Sequence, residues 1–141
     1  MRSSDLLERC ACTRLRTAAR LVTRAYDEVL RPAGIKASQL SVLAAVDAVD
    51  VASIVGLSKA LSMDRTTLSR NLQPLVTQGL VMLSEEAGGR AKTTRITEAG
   101  EAKLKEAVPL WRKAQAALIE QAGAARVDDL NLRLAQLIRS Y

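Results

Sequence analysis

The chain has 141 residues, with 21 Lys plus Arg against 15 Asp plus Glu and a net charge of +6. That length fits one domain, and the basic excess suits a surface that meets phosphates. With no His and only two Cys, a closed zinc site lacks ligands and most imidazole acid–base chemistry is excluded.

Hydrophobic residues make up 48%, yet there is one Trp, two Tyr and no Phe. Close helix packing is therefore favoured over an aromatic-filled β architecture, and the class reads as mainly α with a small β element. The basic excess is uneven: residues 1–33 hold seven basic groups against four acidic, and residues 57–97 six against three. No apolar run approaches the roughly 18 residues of a membrane span. The start, Ser3-Ser4-Asp5, leads into a charged amphipathic stretch rather than a signal-peptide core, so a cytoplasmic protein with no membrane partner is expected.

Residues 5–31 contain neither Gly nor Pro, and Leu15, Ala18, Ala19, Val22, Tyr26 and Val29 recur at steps of three and four. This predicts one long helix with an apolar stripe, ended by Pro32 and Gly34. Ser38 is placed as the N-cap of a helix from Gln39 to about Val49, with Leu40, Leu43 and Ala44 facing inward. Ser53 caps a helix from Ile54 to Leu61. Ser62-Met63-Asp64 then breaks the chain before a helix that begins near Arg65 and ends at Gly79. Two helices separated by three residues is helix-turn-helix spacing.

Beyond Gly79 the pattern changes. Leu80–Leu83 and Thr93–Ile96 are short β-compatible runs, and the Gly88-Gly89 pair between them suits a hairpin turn. Thr97 caps a long helix whose Leu104, Val108, Trp111, Gln115 and Leu118 keep steps of four and three, close to a coiled-coil seam, with Pro109 expected to kink it. After Gly123, residues 126–139 give a last helix with Val127, Leu130, Leu134 and Leu137 on one side. The expected architecture is a winged helix-turn-helix with a two-stranded wing and about six helices. The whole chain, 1–141, forms one such domain, in which 38–97 is the DNA-binding lobe and 1–33 with 98–141 the dimerisation helices. The terminal apolar stripes exceed what a reading core requires, and a second copy of the chain is the simplest partner.

At 100° per residue, Thr66, Ser69, Arg70 and Gln73 share one face of the helix after the break, while Leu68, Leu72, Leu75 and Val76 lie opposite. Hydroxyls and an Arg on the N-terminal half suit a major groove, where Arg forks onto a guanine edge. Alone, such a face reads equally well as the solvated side of a surface helix. The break before it and the hairpin after it, with Arg90 and Lys92, supply a backbone clamp that a plain helical bundle does not need. Arg90, at the hairpin tip, suits a narrow minor groove.

Taken together, Gln39 with Leu43, Asp64-Arg65-Thr66-Thr67-Leu68-Ser69-Arg70, Gly79-Leu80-Val81, Arg90 and Ile96-Thr97-Glu98-Ala99-Gly100 resemble the pattern of MarR-family regulators over nearly the whole chain. The resemblance implies an α-helical dimer with one winged helix-turn-helix per subunit. It also implies a repressor released from DNA by a small phenolic ligand, an oxidant or another signal. It matches Thr66, Thr67, Ser69 and Arg70 to the reading helix and Arg90 to the wing tip. Ser38, Arg65, Gln73 and Lys92 complete the candidate contacts to a double-stranded, pseudo-palindromic operator. Two departures stand out. Gly88 replaces an Asp that commonly holds the wing Arg, and Gly56 stands where a Glu is usual; Pro74 is expected to bend the reading helix after its contact half.

Cys10 and Cys12 fall near the start of the first helix, among Arg9, Arg14 and Arg16, where a thiolate is favoured. Residues two apart on a helix point about 200° from each other, so a bridge within the chain requires local unwinding, whereas bonds to a partner subunit do not. The pair is a candidate sensor of oxidants or soft metals, and equally a buried small residue beside a bystander. A carboxylate or phenolic effector in the crevice between the dimer helices and the DNA-binding lobe, paired with Arg14, Arg16 or Arg20, is the alternative signal. No cofactor is implied. A thiol enzyme lacks a His base and a Gly-rich cofactor loop; a helical interaction module or a protein that coats DNA without reading it is the remaining alternative.

Overall fold

The computed structural model describes residues 2–85 and 92–141. Among them are seven α-helices and a small antiparallel sheet. In chain order these are α1 (Ser3–Arg9), α2 (Ala11–Leu30), α3 (Ala37–Asp47), β1 (Ala52–Ser53), α4 (Ile54–Ala60), α5 (Arg65–Thr77), β2 (Val81–Glu85), β3 (Lys92–Ile96), α6 (Glu98–Ala122) and α7 (Ala124–Arg139). A single 3-10 turn, Arg31–Ala33, joins α2 to α3.

The predicted first helix is two helices. Cys10 is extended (φ −75°, ψ 113°), ending α1 and preceding α2. The Glu8 carbonyl, which a continuous helix would give to the N–H of residue 12, instead accepts from the Arg14 guanidinium. Most of α2 stays exposed, including Leu15 and Val22 of the predicted stripe; Tyr26, Val29 and Leu30 turn inward.

Ser38 is not a cap. α3 begins two residues earlier than expected, at Ala37, because its end is satisfied by others: Gln39 Oε1 accepts the Lys36 N–H at 3.1 Å, and Asp27 Oδ1 accepts the Ala37 N–H at 2.7 Å. Leu40 and Leu43 are buried as expected, joined by Val42 and Val46, whereas Ala44 is exposed. Ser53 caps α4, its Oγ accepting from Gly56 N–H at 2.9 Å.

The wing sheet has a third strand. β3 lies between β2 and the two-residue β1, pairing Ala52 with Thr94 and Val81 with Ile96. Thr94 is buried, and its hydroxyl donates to the Ala52 carbonyl at 3.0 Å, so the polar group is satisfied inside the core. Thr97 caps α6 from the far side of the hairpin: its Oγ1 donates to the Gly79 carbonyl at 2.6 Å and accepts the Gly100 N–H at 3.1 Å. α6 then runs unbroken through Pro109. Its buried positions are Gly100, Ala107 and Ala114, while Trp111 of the predicted seam is exposed.

One apolar cluster ties these elements together. Leu30, Leu43, Leu68 and Leu75 are fully enclosed, with Val42, Val46, Leu57, Leu72, Val81 and Ala107 around them. Each enclosed Leu contributes roughly 1.5–3 kcal/mol through its burial. The cluster thus fixes α3, α4, α5 and the wing to the inner ends of α2 and α6.

Candidate nucleic-acid interface

Helix α5 is held from behind. Leu68, Leu72 and Leu75 of α5 are buried and Val76 is half-buried, which leaves Thr66, Ser69, Arg70 and Gln73 exposed on the other side. Thr67 is exposed as well, and its backbone does local work: its N–H donates to Asp64 Oδ1 at 2.7 Å and its carbonyl accepts from Asn71 Nδ2 at 2.9 Å. The Thr67 N–H, then its hydroxyl, hold the Asp64 carboxyl below the usual range, and the nearby Arg70 charge adds to this.

The turn before α5 is tight. Met63 N–H donates to the Ser58 carbonyl at 3.0 Å and Ser62 N–H to the Lys59 carbonyl at 3.2 Å, the pattern of a Schellman ending. Ser62 takes the left-handed conformation there (φ 49°), a position that usually falls to Gly.

Between α4, α5 and the wing lies an open groove of about 410 Å³. It is lined by Arg65, Ser69 and Gln73 of α5, Leu83 and Lys92 of the wing strands, and Ile54 and Val55 of α4. The structure therefore brings Arg65, Ser69, Gln73 and Lys92 to one feature. Thr66, Thr67 and Arg70 stand exposed on the same helix outside the groove lining, and Ser38 is exposed in the first turn of α3, away from it. Arg90 and Gly88 lie outside the described residues. Opposite Lys92 in the hairpin register is Glu85. Sequence periodicity did not single out Ser53, Val55 or Leu83 as groove residues, because each belongs to a separate short element and the sheet order β1-β3-β2 is what joins the strand of Leu83 to that of Ser53.

A second cavity, of about 280 Å³, lies between α2, α3 and α6, with Tyr26, Leu40, Ala44, Leu104 and Trp111 in its wall. The Tyr26 hydroxyl donates to Gln115 Oε1 beside it, and burial pushes that phenol's pKa up. Arg14, Arg16 and Arg20 are not part of this wall. At the other end of α2, the Thr13 hydroxyl and then its backbone N–H hold the half-buried Cys10 thiol below its ordinary pKa, while Cys12 is exposed.

No family model and no curated protein matches the chain. Solved structures do. The transcriptional regulator MosR of M. tuberculosis, in complex with DNA, is 37% identical with a TM-score of 0.79, over 93% of this chain and 97% of that one. A mutant of MarR from E. coli, complexed with operator DNA, is 26% identical with a TM-score of 0.81, over 94% and 96%. CouR from Rhodococcus jostii RHA1, bound to p-coumaroyl-CoA, shares the fold at 20% identity and a TM-score of 0.78, over 94% of both chains. Among the described residues no helix is long and apolar enough to cross a membrane. Helix order, wing and near-complete mutual coverage agree, and the chain belongs to the MarR family of winged helix-turn-helix transcriptional regulators.

Proposed function

We propose that the protein reads duplex DNA as a homodimer and represses transcription until a signal releases it. The observation that carries this reading is the exposed row Thr66, Ser69, Arg70 and Gln73 on a helix whose opposite side is locked into the core. Arg65 and Lys92 flank the row as phosphate contacts, which orient the protein but carry no sequence information. Residues 38–97 serve as the DNA-binding lobe, and 1–33 with 98–141 as the dimerisation helices. Supporting the second copy, Leu6, Leu7, Leu15, Leu130, Leu132 and Ile138 are exposed on the terminal helices, more apolar surface than an isolated chain keeps in water. Two half-sites ~34 Å apart on a pseudo-palindrome follow from such a dimer.

Two features support a release signal. The cavity walled by Tyr26 and Trp111 suits a small phenolic effector rather than a carboxylate, offering an apolar wall and a phenol–amide pair but no cation among the described residues. Cys10, at the break between α1 and α2, supports an oxidant as the second type of signal. Its thiolate attacks a peroxide oxygen, the O–O bond breaks, and a sulfenic acid and hydroxide result.

Competition between the fragment upstream of the gene and random duplex of equal length tests the DNA-reading function. A preference of about 10³ or more is expected. A ratio near one would replace it with a protein that coats DNA.

A further inference from the structure

Two charged side chains of opposite sign grip the short connection from α2 to α3, one at its middle and one at its far end. At the far end, Asp27 Oδ1 on α2 accepts the N–H of Ala37, the first residue of α3, at 2.7 Å. α3 has no capping oxygen of its own in front of it, since the preceding residue is Lys36; a carboxylate from another helix fills that role and also suits the positive end of the helix dipole. At the middle, where the 3-10 turn ends, Lys103 Nζ on α6 donates to the Ala33 carbonyl at 2.8 Å and to Glu106 Oε2 at 2.9 Å. The Lys103 side chain is 23% exposed, which shelters its bonds from competing water.

What this joint aims is the reading helix. α3 sends Leu40, Leu43 and Val46 into the same cluster as Leu68, Leu72 and Leu75 of α5, and close-packed interiors pass displacement on rather than absorb it. The direction in which α3 leaves α2 therefore sets the direction of the exposed row on α5. Neither Asp27 nor Lys103 lies on α5 or lines the groove beside it.

We infer that Asp27 and Lys103 are positioning residues for DNA reading. They fix α5 against the α2–α6 frame and so, in a dimer, fix the separation of the two reading helices. The inference rests on the function proposed above, and its test separates the two.

Duplexes are selected from a random library by the wild-type protein, then remade with the spacing between half-sites lengthened or shortened by one base pair. Affinities of wild type, Asp27→Ala, Asp27→Asn and Lys103→Met are measured by fluorescence anisotropy, with thermal melts alongside. The wild type is expected to prefer its selected spacing at least tenfold. Asp27→Ala and Lys103→Met are expected to lose about tenfold on that spacing and to keep less than a threefold preference, while random duplex binds within threefold of wild type. Asp27→Asn keeps an acceptor oxygen and recovers most of the preference. A merely destabilised protein would bind all duplexes less well in proportion and keep the spacing ratio, and that result overturns the inference. If Asp27→Ala does not fold, Lys103→Met decides. A wild type that selects no sequence overturns the DNA-reading function itself, and this inference with it.

Discussion

Asp64 Oδ1 accepts the backbone N–H of Thr67 at 2.7 Å, closing the first turn of the helix that exposes Thr66, Ser69 and Arg70. Because the bond favours the ionised carboxylate, the folded-state pKa is lowered, first by the Thr67 N–H and then by its hydroxyl. A depressed folded pKa contributes stability above the unfolded value, and that contribution is lost as pH falls through the folded one. Asp64→Ala should therefore melt below wild type at neutral pH, with the gap narrowing on acidification past the ordinary Asp range. Paired thermal scans from neutral to acid pH check this; a gap that does not change with pH rules out a charged cap.

A Cβ added to Gly100 would sit 2.1 Å from the Leu80 carbonyl oxygen and 2.6 Å from Ile96 Cγ1. The nearest obstacle is backbone, so the first turn of α6 must move away from the residue that leads into β2 rather than a side chain stepping aside. Gly100→Ala is expected to cost on the order of 1–3 kcal/mol. As the same turn is capped by Thr97, the loss should appear as a lower melting temperature together with weaker operator binding. An unchanged melting temperature would contradict the close approach.

Ser62 holds a left-handed backbone (φ 49°) in the turn of the helix-turn-helix, where the absence of a Cβ relieves the contact with the following carbonyl. Ser62→Gly should stabilise the protein by about 0.5–1 kcal/mol, the relief of strain being partly offset by the larger entropy of an unfolded Gly. Chemical denaturation gives the sign directly, and destabilisation would mean that the Ser62 side chain does something beyond tolerating the turn.

The helix-turn-helix was legible because its parts are local. Ser53 caps the helix it precedes, as its place in the sequence suggests. The segment Ser62-Met63-Asp64, which reads in sequence only as a break, ends in a cap from Asp64, and the apolar steps of Leu68, Leu72 and Leu75 set the buried side of α5. Non-local partners defeated the same reasoning. Ser38 reads as a cap until Asp27, ten residues upstream of Ala37, takes the N–H at the start of α3. β1 has two residues, too few for any periodicity, and exists because β3 pairs with it. The break at Cys10 carries no Gly or Pro; it is held by Arg14 reaching the Glu8 carbonyl. In the candidate site, helical spacing placed Ser69 and Gln73 on one face, but only the fold brings Lys92 to the same groove.

Arg70 and Lys92 should fail in different ways. Arg70→Ala removes a side chain suited to a base edge and is expected to cost about 1–3 kcal/mol on the selected operator, with little change on random duplex. Lys92→Ala should weaken both duplexes alike and reduce the slope of log affinity against log salt by about one. Anisotropy titrations across a salt series separate the two, and a uniform loss for Arg70→Ala would move it from reading to positioning on phosphate.

Cys10 sits where the chain leaves helical geometry, and the Thr13 hydroxyl is the largest influence lowering its pKa. In a Cys12→Ser background Cys10 is the remaining thiol, so the pH dependence of its alkylation by iodoacetamide reports its ionisation alone. The midpoint should fall below that of an ordinary cysteine, and Thr13→Val, which removes the hydroxyl but keeps the shape, should raise it again. If the midpoint stays where it was, the hydroxyl is not what favours the thiolate, and the oxidant signal loses its structural basis. If it rises, the same variant should slow the proposed peroxide-dependent release of DNA in proportion, because only the thiolate attacks the peroxide.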